Sequence, residues 1–287
     1  MRYIKFNSET GLCNRIKYMF SAIYRSGDFT EPVNLYWRLE GRFNRRFGEL
    51  FCFKLLKIVE DNDYKDADSL CGERMGKGCT WRLYTPTSML PRGFTRAFPR
   101  DVHGEEYIDL EYDRIPERVQ EIYKDYFNCL EPSELARKRI SEVVLPSKCV
   151  GVHIRLSSEW IEWNRGKQDD VRKYIKVMKR FPVDTFFYLA SYDSSVAQIV
   201  KEEFPNRIIE LPNKNYDDLL DAVADLYLLS ETRELIVTYG STFSEVAWWL
   251  SGCSQKVHIV GSYSKWKNGG SNRYYGWRAK LRKALIR

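Results

Sequence analysis

The sequence predicts an α/β protein built on doubly wound parallel sheets. Three observations carry this. Short apolar runs alternate with amphipathic segments through the second half of the chain. The runs are nearly continuous rather than alternating, as befits strands covered on both faces. The first 30 residues begin the same strand-then-helix rhythm.

In the second half, Cys149–Arg155 is a buried parallel strand, and 169–180 follows with helical spacing at Val171, Tyr174, Ile175 and Met178. Thr185–Ala190 is a strand and Ser194–Phe204 a helix with an Asp-Ser-Ser start. Arg207–Leu211 is a strand. Tyr216–Ser230 is a helix with Leu219, Leu220, Val223, Leu226 and Tyr227 on one side. Glu234–Tyr239 and Lys256–Val260 are strands on either side of the helix Thr242–Leu250. In the first half, Tyr3–Phe6 leads through Gly11 into a helix over Leu12–Ser26, whose apolar face is Leu12, Ile16, Met19, Phe20 and Ile23. Val33–Trp37 and Leu56–Val59 read as strands, and Glu117–Phe127 and Ser133–Val143 as helices. Residues 61–115 lack clean periodicity. Pro146-Ser147 is the expected break. It divides the chain into domains 1–146 and 147–262, followed by a basic helix over 263–287.

Composition narrows the function. The chain has 287 residues, enough for two modest domains with real cores. The net charge is +7, with 46 basic residues interleaved with 39 acidic ones rather than gathered into a polybasic run. This pattern suits a small anionic ligand better than nucleic acid. Most of the 19 Tyr and 8 Trp are expected in the core. No signal sequence and no stretch of about 18 apolar residues is read, and the seven cysteines include no Cys-x-x-Cys. A cytoplasmic protein is therefore expected. In the tail, Trp277, Leu281 and Leu285 form a narrow stripe among Arg and Lys. A helix docked on its own protein is the favoured reading. A weak peripheral membrane contact through 274–287 is the second.

Three motifs carry chemistry. Gly11-Leu12-Cys13-Asn14-Arg15 opens a helix after a strand, where glycine allows close approach and free N–H groups attract phosphate. A plain strand-to-helix turn would also need glycine. His153-Ile154-Arg155 lies at the carboxyl end of a buried strand, the ligand side of an open α/β sheet. A guanidinium there must find an anion, either a ligand diphosphate or an internal carboxylate. Asp221 and Asp225 on a helix are followed by Thr238-Tyr239-Gly240-Ser241-Thr242, a hydroxyl-rich turn that can cradle phosphate or simply cap the next helix.

In this order and separation, the three motifs resemble the fucosyltransferase superfamily, over the first 30 residues and about 148–250. The resemblance implies a GT-B-like fold, with two Rossmann-like domains facing across a cleft, an acceptor-side first domain and a donor-binding second one. It implies an inverting transfer from GDP-fucose to a glycan acceptor, with no cofactor and no metal. Arg155 would contact the β-phosphate. Ser241 and Thr242 would bind phosphate oxygens, and Asp225 would recognise guanine or fix the adjacent loop. Gly11, Asn14 and Arg15 would approach the donor from the other domain. His153 is read as an orienting group rather than the base. Glu159 and Glu162 are candidate bases, and Trp160 and Trp163 candidate acceptor platforms. The sequence departs from the family's usual His-x-Arg-Arg at Leu156. This keeps two alternatives open: a transferase of another GDP-sugar, and a non-catalytic GDP-sugar or glycan binder. The pairs Asp61/Asp63 and Asp66/Asp68 are read as solvated loop rather than metal ligands.

Overall fold

The computed structural model describes residues 2–5, 11–26, 33–37, 39, 43–55, 57–60, 83–85, 87–90, 92, 102–103, 107–108, 112, 115–156 and 171–261. Glu159, Trp160, Glu162, Trp163, both Asp-x-Asp pairs and the tail 263–287 lie outside these residues.

The second half holds the larger sheet. Its strands are β8 (Val150–Ile154), β9 (Phe187–Ser191), β10 (Ile208–Ile209), β11 (Glu234–Thr238) and β12 (Lys256–Val260), in the order β10-β9-β8-β11-β12. Every pairing is parallel. The chain moves outward from β8 in one direction, returns, and moves outward in the other. This makes a topological switch point between β8 and β11, where such sheets bind ligands. The crossovers are the helices α5 (Val171–Met178), α6 (Ser194–Glu203), α7 (Leu219–Ser230) and α8 (Thr242–Leu250).

Strand alternation divides the side chains between two layers. Val150, Val152 and Ile154 pack with Tyr174, Ile175, Met178, Val196 and Val200 under α5 and α6. On the opposite face, Tyr188, Leu235 and Val237 join Val223, Leu226, Trp248 and Trp249 of α7 and α8. That second cluster continues without a break into the first half. His153 alternates onto this face.

The first half contains a three-stranded parallel sheet in the order β1-β2-β4, from β1 (Arg2–Lys5), β2 (Val33–Tyr36) and β4 (Ile58–Glu60). Helix α1 (Leu12–Ser26) follows β1, and all five residues of its expected apolar face are buried. The helix is buried well beyond that stripe, because Arg15, Lys17 and Ser21 are also enclosed. Phe20 meets Phe127 edge-on at 4.8 Å, and Phe127 stacks on Trp249 at 5.2 Å. These rings tie α1 and α3 (Glu117–Asn128) to α8.

Several elements differ from the sequence reading. A short helix α2 (Phe47–Leu50) runs into β3 (Phe51–Phe53), which pairs antiparallel with β7 (Leu130–Pro132). These pieces are too short to show a period. The two-residue strands β5 (Val102–His103) and β6 (Tyr107–Ile108) were equally silent. Helix α7 begins at Leu219, not Tyr216. The Asp218 carboxylate accepts from the Leu220 N–H and so sets the start. Helix α4 covers Glu134–Ile140, capped by Ser133 accepting from the Ala136 N–H.

Gly151 shows why the sheet can approach α7 so closely. A Cβ there would lie 2.7 Å from Leu235 Cδ2 and from Thr232 Oγ1, and 2.9 Å from Leu229 Cδ2. All three neighbours are buried, and Thr232 donates to the Leu229 carbonyl. Gly151→Ala should therefore cost about 1–3 kcal/mol by overpacking. Denaturant unfolding checks this, and an unchanged midpoint would contradict the packing described.

Candidate donor site at the sheet switch point

The site is built from three chain segments: the end of β8, the turn from β11 into α8, and the start of α1. Thr238 binds the first two together. Its Oγ1 accepts from the Arg155 N–H at 2.8 Å and from the Tyr174 hydroxyl at 2.8 Å, and donates to the His153 carbonyl at 3.2 Å. The path of the backbone at Arg155 is thus fixed by a neighbouring strand.

Gly240, between that strand and α8, has φ of 69°. This left-handed conformation suits glycine and turns Ser241 into the N-cap position. Here the local chemistry departs from a normal cap. An N-cap serine ordinarily accepts from the N–H groups of the first turn. Ser241 makes no such bond, and its Oγ is buried without a partner. The opening N–H groups of a helix have no intrahelical acceptor. A buried hydroxyl and a helix N-terminus are therefore presented together.

Five buried side-chain atoms lack a hydrogen-bond partner among the described residues: Asn14 Oδ1, His153 Nδ1, Ser241 Oγ, Glu210 Oε1 and Gln255 Oε1. Three of the five belong to residues that the sequence had singled out. Leaving such atoms unpaired costs about 1–3 kcal/mol each. Asn14, His153 and Ser241 lie on the three segments that build the site, whereas Glu210 and Gln255 lie elsewhere.

The electrostatics fit a site for an anion. His153 is fully enclosed and its ring stacks on Phe243 at 4.9 Å. Burial, reinforced by the charges of Arg155 and Lys214, lowers its pKa to about 3. It is a neutral imidazole at physiological pH. Arg155 is half-buried, and its charge reaches the Cys13 thiol on α1. The guanidinium thus lies within electrostatic reach of both halves. Burial outweighs that influence and pushes the Cys13 thiol up, so it is not a nucleophile.

The other predicted residues are placed differently from one another. Thr242 is the first residue of α8 and is half-buried. Gly11 is exposed, and a Cβ there would meet nothing; its carbonyl accepts from the Arg15 N–H. Arg15 points into the first half. It is wholly buried, donates to the Trp37 carbonyl, and sits 3.4 Å from the centroid of the Phe43 ring. Asp225 is fully buried with both oxygens occupied. Oδ1 accepts from the Tyr188 hydroxyl at 2.6 Å and Oδ2 from Lys214 Nζ at 2.5 Å. Burial pushes the Asp225 carboxyl up, against the pull of Lys214 and Tyr188. Lys214 also donates to the Ser191 carbonyl. Asp225 thereby ties the loop after β10 to the end of β9.

The sequence reading missed the contacts that hold the site's two sides together. Lys17 on α1 and Glu245 on α8 form a buried ion pair, with Nζ 2.7 Å from each carboxylate oxygen. Arg45 pairs with Asp218 through two bonds, and Arg139 with Asp221 through two more. No local pattern could reveal partners 82 to 228 residues apart. Among the described residues, no group of three His, Cys, Asp or Glu side chains could hold a metal ion. Among them also, no helix is long and apolar enough to cross a membrane.

A doubly wound sheet facing a second α/β half, with its open polar groups at the joint, defines the fold class as GT-B-like, an architecture of nucleotide-sugar transferases. The particular likeness is to solved fucosyltransferases. The fucosyltransferase NodZ from Bradyrhizobium is similar at a TM-score of 0.52 and 16% identity, over 86% of this chain and 92% of that one. POFUT1 in complex with GDP is similar at 0.52 and 14%, over 91% and 99%. FUT1 from Arabidopsis thaliana, as a mutant in complex with GDP, is similar at 0.51 and 16%, over 90% and 69%. No family model and no curated protein matches the sequence.

His153 gives the site a measurable acid signature. Its folded pKa is depressed, so below about 6.5 the unfolded chain takes up a proton that the folded one refuses. Stability is therefore lost as pH falls from 6.5 towards 3. Between pH 6.5 and 5, the parent should lose about 1–2 kcal/mol more than His153→Gln. Parallel slopes for the two in denaturant unfolding would contradict a buried neutral imidazole.

Proposed function

We propose that the protein is an inverting glycosyltransferase that moves fucose from GDP-fucose to a glycan acceptor without a metal ion. The observation that carries this reading is the buried Ser241 Oγ, left without a partner at the start of α8, with His153 Nδ1 likewise unpartnered at the end of β8. A diphosphate supplies acceptors for donors such as the Ser241 hydroxyl and the α8 N–H groups. The fold likeness to NodZ α-1,6-fucosyltransferase soaked with GDP-fucose, at a TM-score of 0.50, supports the choice of donor. In this reading residues 147–262 hold the donor, and 1–146 supply Asn14 and the acceptor side.

The transfer is a single displacement. The acceptor oxygen forms a bond to the anomeric carbon as the bond from that carbon to the β-phosphate oxygen breaks. The acceptor proton passes to a base, for which Glu159 and Glu162 are the candidates, with Trp160 and Trp163 as stacking faces for the acceptor. Both electrons of the broken bond leave with GDP, so negative charge grows on the β-phosphate. In this reading Arg155, Ser241, Thr242 and the α8 N–H groups absorb it. His153 contributes a neutral hydrogen-bonding ring held by Phe243 and adds no charge. Asp225 acts by anchoring the loop through Lys214.

Arg155→Ala should lower kcat/KM for GDP-fucose by about 10²–10³, the usual effect of losing one donor to developing charge. Arg155→Lys should recover little, because the paired N–H fork is lost. The check is transfer or donor hydrolysis, measured in EDTA, with the thermal midpoint as the control for folding. A lysine variant with parental turnover would remove Arg155 from this role, and loss of activity in EDTA would overturn metal independence.

A further inference from the structure

We propose that the Lys17–Glu245 ion pair is a positioning device for the donor site, setting the spacing between the starts of α1 and α8. This rests on the donor reading above and adds two residues that would not touch the ligand.

Lys17 lies one turn after Asn14 on α1, and Glu245 one turn after Ser241 on α8. Each charged residue therefore sits behind a residue with an unpartnered polar atom. The pair is deeply enclosed, at 3% and 5% side-chain exposure, and the lysine bridges both carboxylate oxygens at 2.7 Å. The carboxylate is further fixed by the Trp249 indole, which donates to Oε1 at 3.2 Å. Trp249 in turn stacks on Phe127. Around the lysine, the Ser21 hydroxyl donates to the Lys17 carbonyl and accepts from the Tyr84 N–H.

A buried pair of this kind adds little net stability, since desolvation offsets the attraction. What it supplies is geometry: an ion pair has one short optimum, whereas apolar side chains slide. Its location fits that role. It spans the joint between the chain's two halves, and both its charges act on Cys13, as does Arg155. A donor gripped by Asn14 from one side and by Ser241 and Arg155 from the other requires a fixed distance between the two helix starts. A displacement of about 1 Å at reacting groups can cost on the order of 10²-fold in rate.

The test compares the parent with Lys17→Met/Glu245→Gln. This double variant removes both charges, keeps the lysine's length in methionine, and leaves an amide oxygen for the Trp249 N–H. Lys17→Met alone is a second variant, which leaves Glu245 buried without its cation. GDP affinity is measured by calorimetry at 15 °C, with thermal midpoints alongside. The proposal predicts that the double variant keeps a midpoint within a few degrees of the parent, binds GDP at least tenfold more weakly, and transfers about 10²-fold more slowly. The single variant should lose midpoint as well. A double variant with parental GDP affinity and turnover would overturn the proposal, leaving the pair a packing element only. A midpoint that falls while affinity per folded molecule holds would overturn it equally. A parent that binds no GDP would instead sink the donor reading, and this inference with it.

Discussion

The organising constraint is the cost of holding polar side chains out of water at one joint in the fold. Asn14, His153 and Ser241 each carry a buried atom with no partner among the described residues. A folded protein seldom tolerates one such atom without reason, and here three come from segments more than 80 residues apart. The rest of the structure maintains that arrangement. Thr238 fixes the end of β8 through three hydrogen bonds. Gly240 supplies the left-handed turn that delivers Ser241. The aromatic stack of Phe20, Phe127 and Trp249 presses α1 and α8 towards each other.

The site's charge balance follows from burial. His153 stays neutral because it is enclosed beside two cations. Asp225 is a carboxylate whose two oxygens are already taken by Lys214 and Tyr188. The charge of Arg155 acts on His153 in the second half and on Cys13 in the first. The result is a pocket edge whose formal charge is positive and whose neutral groups are polar, a setting suited to a diphosphate.

Much of the larger sheet was legible in the sequence because its signal is redundant. Strands β8 and β11 are nearly continuous buried apolar runs, and they lead directly into the two motifs with chemical content. The parallel, doubly wound character followed from strand–helix alternation, whereas the strand order and the switch point needed the structure. The site was legible to the extent that it is local: His153 with Arg155, and Ser241 after Gly240. Other features depend on contacts that no window contains. Nothing local singles out Lys17 on α1, because its partner Glu245 lies 228 residues away. Arg15 entered the candidate site through the Gly11–Arg15 motif, and its packing on Phe43 and Trp37 could not be read from that motif. Of the two roles read for Asp225, guanine recognition and fixing the adjacent loop, its bond to Lys214 in the preceding loop fits the second. The short strands β3 and β7 were invisible because three residues cannot establish a period.

The most direct measurement is a crystal structure of the protein with GDP. The account predicts the β-phosphate at the mouth of β8 and β11, accepting from Ser241 Oγ and the α8 N–H groups, with the Arg155 guanidinium against it and Asn14 closing from α1. A nucleotide seated elsewhere, with Ser241 Oγ and His153 Nδ1 still unpartnered, would contradict it.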